Sequence, residues 1–285
     1  MFDTIAVIGL GLIGGSFSLD AQQRKLVNRV VGYDASEAHC QTAEELGVVD
    51  QAFTEWNDHL SQSTLVVLAV PVRAMVSVME TLHPWLHADM IVTDVGSVKA
   101  PVVQLMREQY PNIYFVGGHP IAGAETFGPS SARIGLFKGK NVILTPTANT
   151  NAQALEKVRQ LWSAVGSNVH EMTADRHDLI FGKVSHLPHL LAYATVEAIG
   201  EGDSPEILSF FGAGLKDFSR IAASSPEMWA DIFLENQANL LNGLQDFSQI
   251  LDEMRKAICK EDREVLVKLL TRSKKLRDEW ISSKV

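Results

Sequence analysis

The sequence predicts an α/β protein, with a doubly wound, mostly parallel sheet followed by an all-helical C-terminal domain. An apolar run that enters a glycine-rich turn opens the chain. Short β-branched runs then alternate with helical stretches as far as His170, which suits a sheet covered by helices on both faces. After Thr173 only helical patterns follow. We therefore expect two domains, at 1–172 and 173–285.

The pattern of residues 1–34 predicts a strand, a glycine turn, a helix and a second strand that ends at an acidic residue. The turn is Gly9-Leu10-Gly11-Leu12-Ile13-Gly14, and Asp34 ends the second apolar run. In such a turn the first glycine permits the bend, the second lets a pyrophosphate approach the backbone, and the third lets the helix pack on the sheet. A carboxylate at Asp34 suits the ribose hydroxyls of NAD and repels the 2′-phosphate of NADP. The segment predicts an NAD site; a purely structural glycine turn is the alternative.

Further strands are predicted at 64–70, 90–94, 114–118, 141–144 and 168–170. In doubly wound sheets the ligand lies beyond the carboxyl ends of the strands. The segments after those ends should therefore border the nicotinamide, and they contain Val70, Pro71 and Gly96.

Two side chains at these strand ends are candidates for chemistry. His119 follows Gly117-Gly118 and precedes Pro120, so its backbone is restricted on both sides. A histidine held there can take a proton from a substrate hydroxyl whose carbon loses hydride, or its ring can simply be satisfied by loop carbonyls. Ser97 heads the next predicted helix, where its hydroxyl either caps the helix or faces the nicotinamide, and the two roles are compatible.

The first helix of the second domain carries Ser185, His186 and His189 within an apolar stretch from Leu179 to Ile199. Ser185 and His189 are four positions apart and share a helix face. Buried imidazoles need partners, so they either bond to backbone between the domains or line a polar pocket. No third ligand has convincing spacing for a metal.

Arg220 follows the flexible segment 212–214 and can grip a carboxylate with two parallel hydrogen bonds. Asp217, one turn earlier, could orient the guanidinium; an ordinary surface ion pair is the alternative. Trp229 could wall the same pocket, or it belongs to the core.

A long amphipathic helix is predicted towards the C-terminus. Ser225-Pro226-Glu227 gives its start, with a capping hydroxyl, a proline in the first turn and an acid at the positive end. Its apolar seam is either core within the chain or part of a subunit interface. The seam consists of Leu240, Leu244, Phe247, Leu251, Met254 and Ile258.

Composition restricts the classes of function. The chain has 285 residues, 46% of them hydrophobic, and a net charge of -9, which argues against nucleic-acid and anionic-membrane partners. The longest apolar run, 65–72, is too short to span a bilayer. Cys40 and Cys259 lie far apart without metal-ligand spacing, which favours a reducing cytoplasm.

Five motifs in this order, GLGLIGGS, DVGSVK, GGHPIAGAE, SHLPH and GLKDFSRIA, resemble the prephenate dehydrogenase family over nearly the whole chain. Single motifs of this set are common among dehydrogenases, whereas the ordered set is specific. The resemblance implies a dinucleotide-binding domain, a helical dimerisation domain and hence a homodimer. It also implies oxidative decarboxylation of prephenate or arogenate with NAD in tyrosine synthesis.

The same resemblance implies roles for individual residues. His119 would bind the ring 4-hydroxyl and draw off its proton as C4 gives hydride to NAD, and Ser97 would support both groups. Arg220 would grip a substrate carboxylate, and the pocket would be completed by Ser185, His186 and His189. Lys216 stands where some relatives have arginine, and its own role stays open.

Prephenate and arogenate differ in a pyruvyl against an L-alanyl side chain. Glu125 could attract the ammonium of arogenate, Lys216 could repel it, and Trp229 could exclude it through an unsatisfied donor. We expect prephenate, with arogenate or both substrates as the alternative. A β-hydroxyacid dehydrogenase would need a catalytic lysine motif that is not found, and a non-catalytic NAD sensor would not need His119, Arg220 and the histidine helix together.

Overall fold

The computed structural model describes residues 1–124, 126–200, 210 and 212–282. By the density of its internal contacts the chain forms two compact units, Met1–Gln237 and Ala238–Val285. The predicted functional boundary between 172 and 173 stays a prediction.

A six-stranded parallel sheet forms the centre of the first unit, which confirms the predicted fold class. Its strand order is β3-β2-β1-β4-β5-β6. The glycine turn leaves the central strand β1, so it lies where the strand order reverses, the usual ligand position in such sheets. The strands are Phe2–Ile8 (β1), Val27–Tyr33 (β2), Gln51–Phe53 (β3), Leu65–Leu68 (β4), Ile91–Asp94 (β5) and Tyr114–Val116 (β6).

The expectation that the later apolar runs extend this sheet is wrong. A second sheet holds Gly118–Pro120 (β7), Asn141–Leu144 (β8) and Asn168–Glu171 (β9), with β7 antiparallel and β9 parallel to β8. The predicted strand 114–118 is split at Gly117, whose carbonyl accepts the Thr145 N–H at 2.9 Å. An added Cβ at Gly117 would lie 2.4 Å from the Thr145 hydroxyl, so a side chain at this position would require the Thr145 side chain to move.

Helices cover both faces of the parallel sheet and continue through the C-terminal part. Val7 packs in the cluster of Phe17 and Trp162, whereas its neighbour Ala6 packs in the cluster of Met79. Both faces of β1 are therefore buried, which explains its continuous apolar run. The described helices are Leu12–Gln23 (α1), Glu37–Glu45 (α2), Asp58–Ser61 (α3), Ala74–Leu82 (α4), Ala100–Gln109 (α5), Ala152–Ala164 (α6), Ala174–Phe181 (α7), Leu187–Gly200 (α8), Ala213–Ser219 (α9), Pro226–Glu235 (α10), Gln237–Cys259 (α11) and Arg263–Ser282 (α12).

Two predicted helices are interrupted. The histidine helix changes to a π-helical turn at Gly182–His186, just before Pro188, which has no N–H to donate to the preceding turn. The Ser225 hydroxyl caps a helix as predicted, accepting the Met228 N–H at 3.3 Å, but that helix ends at Glu235. The long helix begins separately at Gln237, after Asn236.

In the second unit the predicted seam is only partly covered. Leu240 is buried in this seam, whereas Leu251 is 54% and Ile258 is 63% exposed. None of the described helices is both long and apolar enough to cross a membrane.

Candidate active site

The glycine turn presents an open helix start. Gly9 has a φ of +97°, and an added Cβ at Gly14 would lie 2.2 Å from the Gly9 carbonyl oxygen, so both positions require glycine. An added Cβ at Gly11 would meet nothing within 4 Å, and no side chain caps α1. The first N–H groups of α1 are thus accessible to a phosphate. These residues fit the pyrophosphate of a dinucleotide.

Asp34 is held at the end of β2 by this turn. Its carboxylate accepts the Leu10 N–H at 2.9 Å and the Ser36 N–H at 2.9 Å. The His39 ring lies 3.2 Å away. The acid is therefore fixed beside the glycine turn, where a cofactor ribose is expected.

We expect Asp34→Ser to raise the KM for NAD by about 10- to 100-fold, the effect of losing a hydrogen bond to a charged acceptor. The preference for NAD over NADP should narrow, because the carboxylate that repels a 2′-phosphate is gone. Initial rates with both cofactors measure this, with Glu45→Ser at the far end of α2 as the matched control. A wild-type enzyme that uses NADP as efficiently as NAD would contradict the assignment.

A buried ion pair holds the backbone just before His119. Lys99 and Asp94 form this pair with both side chains 0% exposed. Lys99 Nζ donates to the Gly118 carbonyl at 2.8 Å, and Asp94 Oδ1 accepts the Gly118 N–H at 3.0 Å. Asp94 ends β5, so His119 lies at the carboxyl edge of the parallel sheet. Burial lowers the pKa of Lys99, and the Asp94 carboxylate opposes that effect.

His119 belongs to a chain of hydrogen-bonded side chains rather than to a loop. It lies within β7, is 9% exposed, and its Nδ1 is 2.7 Å from His177 Nε2. His177 Nδ1 is in turn 2.7 Å from Asp178 Oδ1. The Phe181 ring packs 5.0 Å from the His119 ring and 4.4 Å from the His177 ring. Burial, followed by the charges of His177, Lys99 and His186, lowers the pKa of His119 well below 6.5.

Asp178 caps α5 from outside that helix. Its two oxygens accept the N–H groups of Lys99 and Ala100, each at 2.8 Å. The expectation that Ser97 caps this helix is therefore wrong, because α5 begins at Ala100. Ser97 lies half-buried in the loop after β5, and its hydroxyl makes no hydrogen bond with the residues that the structure describes.

The π-helical turn and α8 bring a second polar cluster together. His186 is 1% exposed, and the Asn236 amide donates to its Nδ1 at 3.0 Å and to the Asp178 carbonyl at 2.8 Å. His186 therefore carries its proton on Nε2. Burial lowers the pKa of His186 to about 4. Its partner is a side chain, not the backbone between domains.

Trp229 and His189 stack beside this cluster, with ring centroids 3.7 Å apart. His189 Nδ1 donates to the Ser185 carbonyl at 2.9 Å, which leaves Nε2 as an acceptor. Among the described residues, neither His186 Nε2 nor Trp229 Nε1 has a hydrogen-bond partner. The structure thus buries two donors here without a hydrogen-bond partner in the part of the chain that it describes.

The remaining predicted residues differ in how far they can be placed. Arg220 is exposed at the start of a short 3₁₀ turn, and after burial its charge is the second cause that lowers the pKa of His189. Asp217 is exposed on α9, and Glu125 lies outside the described residues.

The residues at the sheet edge also follow their strands. Val70 and Pro71 come after β4, and Gly96 comes after β5, where an added Cβ would lie 2.9 Å from Asp94 Oδ2. In the described ranges no group of His, Cys, Asp and Glu side chains could hold a metal ion.

Sequence reasoning assigned no role to five residues of this site: Asp94, Lys99, His177, Asp178 and Asn236. The sequence contains one relevant signal, an adjacent His177-Asp178 pair in the first helical stretch after the last predicted strand, 168–170.

Both parts of the chain are similar to known proteins. Residues 17–171 match the family model described as the prephenate dehydrogenase nucleotide-binding domain, and residues 173–272 match the prephenate dehydrogenase dimerization domain. The cyclohexadienyl dehydrogenase of Zymomonas mobilis is 36% identical over 97% of this chain and 96% of its own. The prephenate dehydrogenase of Bacillus subtilis is 34% identical over 98% of this chain and 76% of its own.

Solved structures give the same result. Prephenate dehydrogenase from A. aeolicus, in complex with hydroxyphenyl propionate and NAD+, superposes with a TM-score of 0.90 and 37% identity, covering 98% of both chains. Arogenate dehydrogenase from Synechocystis superposes with a TM-score of 0.79 and 30% identity, covering 97% of this chain and 99% of the other.

Proposed function

The chain belongs to the prephenate dehydrogenase family, and from that premise we propose that it converts prephenate to 4-hydroxyphenylpyruvate by NAD-dependent oxidative decarboxylation. It is an NAD-dependent dehydrogenase. The observation that carries the proposal is the position of His119, buried and neutral at the carboxyl edge of the sheet that bears the glycine turn. A neutral imidazole there can accept a hydroxyl proton.

In the proposed reaction, His119 Nε2 takes the proton of the ring 4-hydroxyl. NAD, when bound, supplies the acceptor for the hydride that leaves C4. C4 thereby becomes a carbonyl carbon. The electrons of the bond between the ring and its carboxylate then move through the conjugated ring to the oxygen on C4, and carbon dioxide leaves. The ring becomes aromatic, and His119 returns the proton to the phenolate oxygen. The Ser97 hydroxyl, half-buried after β5, supports the same oxygen.

The cluster around Trp229 supports a pyruvyl side chain. His186 Nε2 and Trp229 Nε1 are both buried donors without a partner among the described residues. The keto and carboxylate oxygens of prephenate accept hydrogen bonds, whereas the ammonium of arogenate is a further donor and would leave such groups unsatisfied. The discriminating role of Glu125 and Lys216 stays a proposal.

Turnover of both substrates is the second candidate, because the relative from Zymomonas mobilis is a cyclohexadienyl dehydrogenase. Steady-state rates with prephenate and with arogenate, each with NAD and with NADP, test the proposal. We expect the highest kcat/KM for prephenate with NAD. A higher value for arogenate would refute the substrate assignment, and no turnover of either substrate by protein that binds NAD would favour the sensor.

Arg220 is proposed to grip a carboxylate of the substrate, with Asp217 orienting it and with Ser185 and His189 beside it. We expect Arg220→Ala to raise the KM for prephenate by roughly 30- to 900-fold, which corresponds to about 2–4 kcal/mol for a lost bidentate contact. The affinity for NAD, measured by fluorescence titration, should change little. Arg255→Ala removes the same charge from an exposed position on α11 and serves as the control. An equal increase in KM in both variants would show that Arg220 acts only through its positive charge and makes no direct contact with the substrate.

We further propose a homodimeric, cytoplasmic enzyme. The family model over 173–272 is described as a dimerization domain, and the partly exposed seam of α11 supports a role in subunit contact. Both cysteines are free, which suits a reducing compartment. Sedimentation at micromolar concentration tests the oligomeric state, and a monomer would contradict it.

A further inference from the structure

The Asp178 carboxylate accepts hydrogen bonds from two backbone N–H groups. Its Oδ1 accepts the Lys99 N–H and its Oδ2 accepts the Ala100 N–H. Both donors begin α5, where the partial positive charge of a helix start favours a carboxylate. The proton in the 2.7 Å contact between Asp178 and His177 therefore lies on His177 Nδ1.

That proton fixes the remaining protons of the chain. Burial lowers the pKa of His177, so its ring is neutral and carries a single proton. With that proton on Nδ1, His177 Nε2 has a lone pair and can only accept. The 2.7 Å contact with His119 then requires the His119 proton on Nδ1. His119 Nε2 is left unprotonated, as acceptance of a hydroxyl proton demands.

We propose that His177 and Asp178 are positioning residues that hold His119 in its Nδ1–H tautomer, with Nε2 open to the substrate hydroxyl. This inference rests on the proposed function only where it concerns turnover. The three side chains join β7, α7 and the start of α5, and His177 is 0% and Asp178 2% exposed. Water therefore cannot replace either partner without rearrangement.

The tautomer can be observed without any substrate. Long-range ¹H–¹⁵N correlation spectra of histidine-labelled free enzyme distinguish a ring protonated on Nδ1 from one protonated on Nε2. We expect His119 on Nδ1 in the wild type and in His177→Gln, whose amide oxygen can still accept at the position of Nε2. In His177→Leu, which offers no acceptor, we expect the His119 proton to move to Nε2.

Kinetics provide the second measurement. His177→Leu should lower kcat by about 10²-fold or more, since a base with the wrong tautomer loses its function, with KM for prephenate and Kd for NAD changed less than about threefold. His177→Gln should keep kcat within about tenfold of the wild type. Phe181→Leu alters packing against both rings and leaves the hydrogen bonds in place, so its kcat should fall only a few-fold.

A wild-type His119 protonated on Nε2, or an unchanged His119 tautomer in His177→Leu, would overturn the proposal. This result does not depend on which substrate the enzyme converts. Equal losses of kcat in His177→Leu, His177→Gln and Phe181→Leu would also overturn it, since they would indicate packing alone. If His177→Leu does not fold, the spectra of the wild type and His177→Gln still decide. Failure of prephenate turnover with the expected tautomers present would refute only the proposed function.

Discussion

His119→Asn is expected to lower kcat by about 10²- to 10⁴-fold, the usual contribution of a general base. Asparagine can keep a hydrogen bond to the substrate hydroxyl, but it has no basic group of useful pKa. The KM for prephenate and the Kd for NAD should change much less, because the substrate carboxylates and the cofactor are held elsewhere. Steady-state kinetics and NAD titration measure the two effects separately.

The pH dependence sharpens this prediction. Burial lowers the pKa of His119 well below 6.5, so the ring is neutral at pH 7 and becomes charged only as the pH falls further. The pH dependence of kcat/KM reports the pKa values of the free enzyme. The acidic limb of the kcat/KM profile should therefore lie below pH 6.5 in the wild type and be absent in His119→Asn. If His119→Asn kept a near wild-type kcat and the same acidic limb, another group would be the general base. His189 would then be the first residue to test.

Lys99→Met is expected to reduce the free energy of unfolding by about 3–5 kcal/mol, because it leaves the Asp94 carboxylate buried without its cation. Both side chains are fully buried, so water cannot compensate. Urea unfolding followed by circular dichroism measures the change. Lys157→Met, at an exposed lysine on α6, should cost less than about 0.5 kcal/mol. Similar losses in the two variants would show that the buried pair does not stabilise the fold.

Local sequence patterns are sufficient to predict the parallel sheet and the glycine turn that fits the cofactor. The positive φ of Gly9, the contact of Gly14 with the Gly9 carbonyl and the acid after β2 all lie within residues 1–34. The second sheet could not be predicted in this way. The run 114–118 begins with three residues that favour a strand, and its break at Gly117 involves Thr145, far along the chain.

The same limit applies to the site. His119 was predicted from its place at a strand end, but His177 lies 58 positions away and only the fold brings the rings together. Lys99 ends the motif DVGSVK, and the sequence does not predict it in the interior, because lysine is rarely buried without a paired charge. Asn236 interrupts an otherwise continuous helical pattern, and its amide bonds to His186 and to the Asp178 backbone.

The most direct test of the proposed reaction is its stoichiometry with wild-type enzyme, prephenate and limiting NAD. NADH is followed by absorbance, carbon dioxide by trapping, and the aromatic product by chromatography. We expect NADH, carbon dioxide and 4-hydroxyphenylpyruvate in equal amounts, with all three suppressed together in His119→Asn. NADH formed without carbon dioxide, or no NADH from prephenate although NAD binds, would contradict the proposed reaction.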